Sequence, residues 1–289
     1  MPLALRVKTW PMLATHLSTI RREKNMSQHF KEPPQNAIAD RGIGRVIPCK
    51  QLDASDPFKW LAQGGRDIMK TPGLTAFYGV MFALIPWLIV YLVQMTGWHL
   101  VIMPAMVCFM LIGPFLAAGL YDVSRELGKG HKPTLGHSLK AIKRNAVHEW
   151  GFGILLTVLM IFWLRVASLI HALYPPYLDE TLEALLPFLL LGVAVGALFT
   201  LILLFISAFT QPILMERKVD LATAVMSSVN AVWVNKLPLL IWGAIIFTAV
   251  LIGFLTGFIG FIVLMPLIGY ASWHGYIDTI ATKRERKMP

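Results

Sequence analysis

Arg165 is the first residue in this chain whose surroundings ask for chemistry. It stands alone as a charge within the apolar run 151–173. A cation at the bilayer centre costs roughly 2.5–3.5 kcal/mol on insertion scales. Off-centre, Arg165 can snorkel outward, pair with Asp179, Glu180 or Glu183, or contact an anion or substrate. Histidine is the other residue type with reach, because pairs on one span can hold haem or a metal. Of the 8 histidines none is spaced three or four from another, and only His274 lies inside an apolar run. Cys49 and Cys108 fall in a basic segment and an apolar run respectively, so two free thiols are expected. HExxH, P-loop and GxSxG patterns are missing. These residues predict no enzyme, no cofactor and no metal.

The elements that carry these residues follow from composition. The chain has 289 residues, 56% hydrophobic and only 15% charged, yet a net charge of +10. Soluble domains run near ~45–50% apolar and ~25% charged. A chain both apolar and basic excludes a soluble enzyme domain and a disulfide-rich secreted fold, and predicts a polytopic membrane protein. A span needs roughly 20 apolar residues. Runs of that kind place spans near 74–95, 99–121, 151–173 and 187–211. The last run, from Leu237 to about Ile280, is too long for one crossing of a core about 30 Å thick. Gly253, Gly257 and Gly260 mark its turn, giving spans near 238–256 and 259–279.

Charge tests the count of six. Lys and Arg number 12 in residues 1–73, 6 in 122–149, 3 in 212–236 and 4 after Ile280. Six spans put all of these on one side. The opposite loops, 96–98 and 174–186, hold no Lys or Arg and carry three carboxylates. The positive-inside rule then sets both termini in the cytoplasm. The charge therefore reports orientation and attraction to anionic lipid rather than a nucleic-acid partner. Glu149, Gln94 and Gln211 are read as span-end residues within reach of water.

Helical periodicity precedes each pair of spans. Phe58, Leu61, Gly65 and Ile68 share one face; Leu135, Leu139, Ile142 and Ala146 share a second; Leu221, Val225, Val229 and Val232 share a third. The prediction is three units, each an interfacial helix followed by a two-span hairpin. Small residues at Gly192 and Gly196, and from Gly253 through Gly275, predict close helix contacts. Residues 1–50 read as a basic, disordered tail, with 1–25 either part of that tail or preceding a true start at Met26. The membrane domain covers 51–282, and 283–289 forms a basic cytoplasmic tail.

Specific strings add a family. PFLAAGLYDVSREL at 114–127 with Gly130 and Pro133, RDIMKTPGLTAFYGVMFAL at 66–84, SSVNAVWVNKLPLLIWGAII at 227–246 and PLIGYASWHGY at 266–276 resemble bacterial integral membrane proteins of unknown function (domain-of-unknown-function family 2189). The resemblance covers about residues 45–280 and departs from the family pattern at Tyr270 and Ile277. It implies a six-span cytoplasmic-membrane protein with no established activity. Within these strings Asp122, Arg125, Trp273 and His274 join Arg165 as candidate functional or lining residues. The leading expectation is an all-α, non-enzymatic, membrane-embedded binding or accessory protein that contacts lipid and an unidentified membrane-protein partner. The alternative is a transporter of a small or lipid-like solute.

Overall fold

The structure, a computed structural model, describes residues 46–96, 102–173 and 182–280. The expected tails over 1–25 and 283–289 lie outside the described residues. So does most of the 1–50 tail, but from Val46 the chain is part of the fold. Among the described residues the elements are helices: α1 (Asp56–Lys70), α2 (Pro72–Thr96), α3 (Ile102–Gly128), α4 (Leu135–Ala172), α5 (Leu182–Ser207), α6 (Thr210–Glu216), α7 (Leu221–Val234), α8 (Lys236–Leu255) and α9 (Phe261–Thr279). This is the expected all-α bundle.

Five helical stretches are long and apolar enough to cross a membrane: Pro72–Met95, Val107–Gly128, Ala146–Ala172, Leu185–Glu216 and Lys236–Leu255. The sixth expected span forms α9, whose second half carries Tyr270, Ser272, His274 and Asp278 and is less apolar than those five. Its 19 residues still extend about 28 Å at 1.5 Å per residue. It runs antiparallel to α2. Trp87 Nε1 donates to the Gly257 carbonyl at 2.9 Å, Gly79 lies against Ile262, and the Thr75 and Tyr270 hydroxyls are 3.2 Å apart.

Short helices α1 and α7 precede the first and third expected hairpins, while the second hairpin differs. The second unit's short helix is continuous with its span, making α4 a single helix of 38 residues. Nothing in Leu135–Ala172 breaks it: the segment has no internal proline, and Thr134 caps its start by accepting from the His137 backbone N–H.

The three apolar faces expected before the hairpins are not the most buried ones. On α1, Trp60, Gly64 and Asp67 are buried, while Phe58 is 57% exposed. On α7 the buried residues include Ala224, Ser227, Ser228 and Ala231; of the expected face Val232 is buried too, while Leu221, Val225 and Val229 are only half-buried. On α4 Ser138 and Ala141 are buried and Leu139 is exposed. The reason is the solvent. Lipid accepts Phe and Leu as readily as a neighbouring helix does, so contacts between helices go to small residues that permit close approach.

Close approach centres on α9. A Cβ on Gly64 would meet the Leu267 carbonyl at 2.9 Å, and one on Gly275 would meet the Trp60 ring at 2.9 Å. A Cβ on Gly79 would overlap the Ile262 backbone carbonyl. The expected small-residue contacts hold at Gly269, against Leu120, and at Gly253, against Phe261. Gly192 instead faces open space.

The segment before α1 is stitched across one end of the bundle. Ile47 N donates to Ser227 Oγ at 3.0 Å, Leu52 N to Asn235 Oδ1 at 2.8 Å, and Lys50 N to the Thr279 carbonyl at 2.8 Å. Cys49 pairs with Ile280 in an isolated antiparallel bridge. Both cysteines are free thiols, and burial raises that of Cys49 above its usual pKa.

Gly79→Ala should lower the melting temperature of the detergent-solubilised protein. The Ile262 backbone cannot yield, so the expected cost is that of overpacking, about 1–3 kcal/mol. Gly192→Ala, with open space to fill, should be neutral or slightly stabilising. Equal effects from the two would contradict this packing.

Candidate functional site

Polar side chains gather at the end of the bundle where α3, α6 and α9 finish and α4 begins. The first group joins three helices. Asp67, near the end of α1, is buried and accepts from Ser124 Oγ of α3 at 2.6 Å. His274 Nε2 of α9 stands 2.8 Å from the same carboxylate oxygen. A nucleophile relay would need the serine hydroxyl on the imidazole and the carboxylate behind it. Here serine and histidine both bond one oxygen of Asp67, so the carboxylate is a strut between helices.

The second group closes the α3–α4 connection. Asp122 is 1% exposed and takes Arg125 Nη2 at 2.8 Å and His137 Nδ1 at 2.7 Å. Glu126 takes Lys129 Nζ at 2.6 Å and His131 Nδ1 at 2.9 Å. Ser138, at the start of α4, donates to the Gly119 carbonyl at 2.9 Å and meets the Tyr78 hydroxyl. Asp122, Glu126 and His137 are close enough to hold a metal ion together. Their carboxylates are already shared with Arg125 and Lys129, whose positive charge opposes a second cation there.

A third group sits deeper. Glu149 of α4 is fully buried and takes Gln211 Nε2 of α6 at 2.9 Å. The same Gln211 nitrogen donates to the Pro114 carbonyl of α3. Glu149 Oε1 has no hydrogen-bond partner among the described residues. The water-accessible placement expected for Glu149 and Gln211 is therefore corrected. α6 packs against α3 and α4, and its Gln211 side chain lies between Glu149 and the Pro114 carbonyl. A fourth contact ties α6 to α9, with the Tyr276 hydroxyl donating to Glu216 Oε2.

Beside these groups lies an open cleft of about 660 Å³ between the end of α3, the first half of α4 and the α6–α7 connection. Arg125, Arg144, His148, Arg217 and Lys218 line it, and Leu214, Met215 and Val219 give it apolar wall. Its two carboxylates are engaged. Glu216 accepts from Tyr276, and Asp220 caps α7 by accepting from Thr223 N at 3.1 Å and Thr223 Oγ1 at 2.6 Å. The Thr223 bonds hold the Asp220 carboxyl below its ordinary value of 3.8.

The residues singled out from sequence part company here. Asp122 and Arg125 are bonded to each other, and Arg125 also lines the cleft. His274 belongs to the Asp67 group. Trp273 is core, with ring centroids 6.3 Å from Tyr121 and 5.3 Å from Tyr276. Arg165 joins none of them. It is exposed on α4 and has no ion pair among the described residues. Asp179 and Glu180 lie outside those residues. Sequence reading missed Asp67, Ser124, Arg144, Arg217 and Lys218. The strings around 66 and 124 held a signal for the first two, because a lone carboxylate beside a span needs a partner.

Residues 102–216 match the model of a family described as "Predicted integral membrane protein (DUF2189)". The matched stretch is less than half of the chain and narrower than the expected 45–280. It runs from α3 through α6, taking in Asp122, Arg125, Glu149 and Gln211 but not Asp67, Trp273 or His274. The match and the five apolar stretches together make the chain an integral membrane protein. No curated protein and no solved structure matches it.

Asp67→Ala should destabilise the bundle by about 1–3 kcal/mol, because it strands the buried Ser124 hydroxyl and the half-buried His274; Ser124→Ala should cost less. Thermal melts in detergent compare them, and a neutral Asp67→Ala would remove the strut. Asp220→Ala should cost about 0.5–2 kcal/mol as a lost helix cap. The folded pKa lies below the unfolded one, so this contribution is present above the unfolded value of 3.8. It is lost as pH falls through the folded value. The gap between wild type and variant should thus close on acidification; a gap that widens would contradict the cap.

Proposed function

We propose that this integral membrane protein is a non-enzymatic, membrane-embedded binding or accessory protein whose working face is the polar end of the bundle. The observation that carries the reading is the placement of the open basic cleft beside struts that fix α3, α4, α6 and α9. Such a face is rigid and charged, as a binding surface needs to be. The shared bonding of Ser124 and His274 to Asp67 favours binding over hydrolysis. Orientation in this reading follows the Lys and Arg distribution, which puts the polar end and both termini in the bacterial cytoplasm.

Glu149 supports a second reading, transport of a small or lipid-like solute. Ionisable side chains buried within spans are the groups that proton-coupled carriers use. Glu149 fits that description, with one oxygen left without a hydrogen bond among the described residues.

Purification from native membranes in mild detergent, with proteins and lipids both identified, tests the first reading against solute flux in deletion and overexpression strains. A stable complex without flux is the expected result. Flux that is lost in Glu149→Gln, with melting unchanged, would transfer the assignment to transport. Reporters fused after residue 180 and at the C-terminus should read outside and inside; a C-terminal reporter found outside would overturn the orientation.

A further inference from the structure

The cleft at the polar end is a candidate site in its own right, and its charge is unbalanced. Arg144 and Lys218 are exposed in it and make no ion pair among the described residues. Arg217 stands buried in its wall beside Tyr276. Arg125 Nε is buried and makes no hydrogen bond among the described residues, its nearest carboxylate oxygen being that of Glu126 at 3.8 Å. Glu216 and Asp220 set two negative charges against these four cations, and each also accepts a bond, from Tyr276 and Thr223 respectively. Three guanidinium groups and a lysine around a space with two carboxylates leave an excess of positive charge that suits an anion with several acceptor oxygens, and phosphate matches it best. The apolar wall of Leu214, Met215 and Val219 argues that the phosphate arrives attached to something apolar.

We propose that this cleft binds a phosphate-bearing anion, with Arg125, Arg144, Arg217 and Lys218 as its ligands. The proposal rests on the reading of the polar end as a binding face and names the chemistry that the face recognises. The phosphate can come from a phospholipid headgroup at the membrane surface or from a soluble phosphate. A headgroup would place its acyl chains along the apolar wall. His148 lies at the edge of the cleft and can add a further donor.

The full-length protein in detergent is assayed for retained phosphatidylglycerol against phosphatidylcholine by native mass spectrometry, and for inorganic phosphate by calorimetry. Arg144→Gln with Lys218→Gln removes two exposed cations from the cleft without touching a strut. Lys140→Gln with Lys143→Gln removes two exposed cations from the same helix outside it. The cleft pair should weaken binding of the anionic lipid about tenfold or more, given roughly 1 kcal/mol per well-placed cation. The outside pair should leave binding within about twofold, as its charges reach only the diffuse field. Phosphatidylglycerol retention that follows this pattern assigns a headgroup site. Phosphate binding that follows it, without lipid preference, assigns a soluble ligand. Equal losses from both pairs, or no binding of either probe, would overturn the site. Those results would leave the co-purification experiment untouched, because a protein complex does not depend on the cleft holding phosphate.

Discussion

Helix α9 touches its neighbours at the backbone, and the rest of the molecule depends on that contact. Between helices in lipid there is little hydrophobic driving force, so association relies on van der Waals fit and polar bonds. Gly64, Gly79 and Gly275 remove the side chains that would otherwise hold α9 away from α1 and α2. With α9 that close, His274 reaches Asp67, Trp60 reaches Asp278 at 3.1 Å, and Tyr276 reaches Glu216. A displacement of α9 by the width of one methyl group would break all three, since hydrogen bonds fade within a few tenths of an ångström of their working range. The fit between helices and the polar network are therefore one constraint rather than two.

Charge is arranged in the molecule by burial. The carboxylates Asp67, Asp122 and Glu149 are inside, each bonded to a group on another element or on the adjoining loop. Many of the cations near them remain at the surface. An interior that consumes negative charge leaves the polar end more positive than its composition alone suggests, and low dielectric strengthens the bonds that keep it so. The basic cleft is the local form of this imbalance.

The bundle was legible in the sequence because the apolar runs are long and Lys and Arg, Arg165 apart, fall outside them. Among the described residues each expected span falls largely on helix, and the glycine turn at 256–260 appears with Gly257 at φ 60°. Packing faces were less legible. A search for apolar periodicity finds Phe58 and Leu139, which a lipid-bathed helix turns outward, and overlooks Gly64, Ser138 and Ser227, which it turns inward. Glu149 was misplaced for a related reason. Its position at a span end says nothing of α6, which packs against α4 and sets Gln211 on it. The Asp67 group escaped because its members come from residues 67, 124 and 274, and a pairing across such separations leaves no local pattern. Arg165 drew notice for the opposite reason: isolation in sequence is easy to see, yet it has no ion pair among the described residues.

The strap ahead of α1 bears on how the molecule is made. Lys50 and Cys49 pair with Thr279 and Ile280, and Ile47 and Leu52 bond to Ser227 and Asn235. These are contacts between the beginning and the end of the described chain. During synthesis the strap emerges long before its partners exist, and the groove it closes is built last. Assembly must then run in two stages, with hairpins entering the membrane as they are translated and the ring of the chain closing only after the ribosome has released α9. Until that moment α1 lacks the helix it packs against, and the nascent protein carries an unfilled slot in its centre.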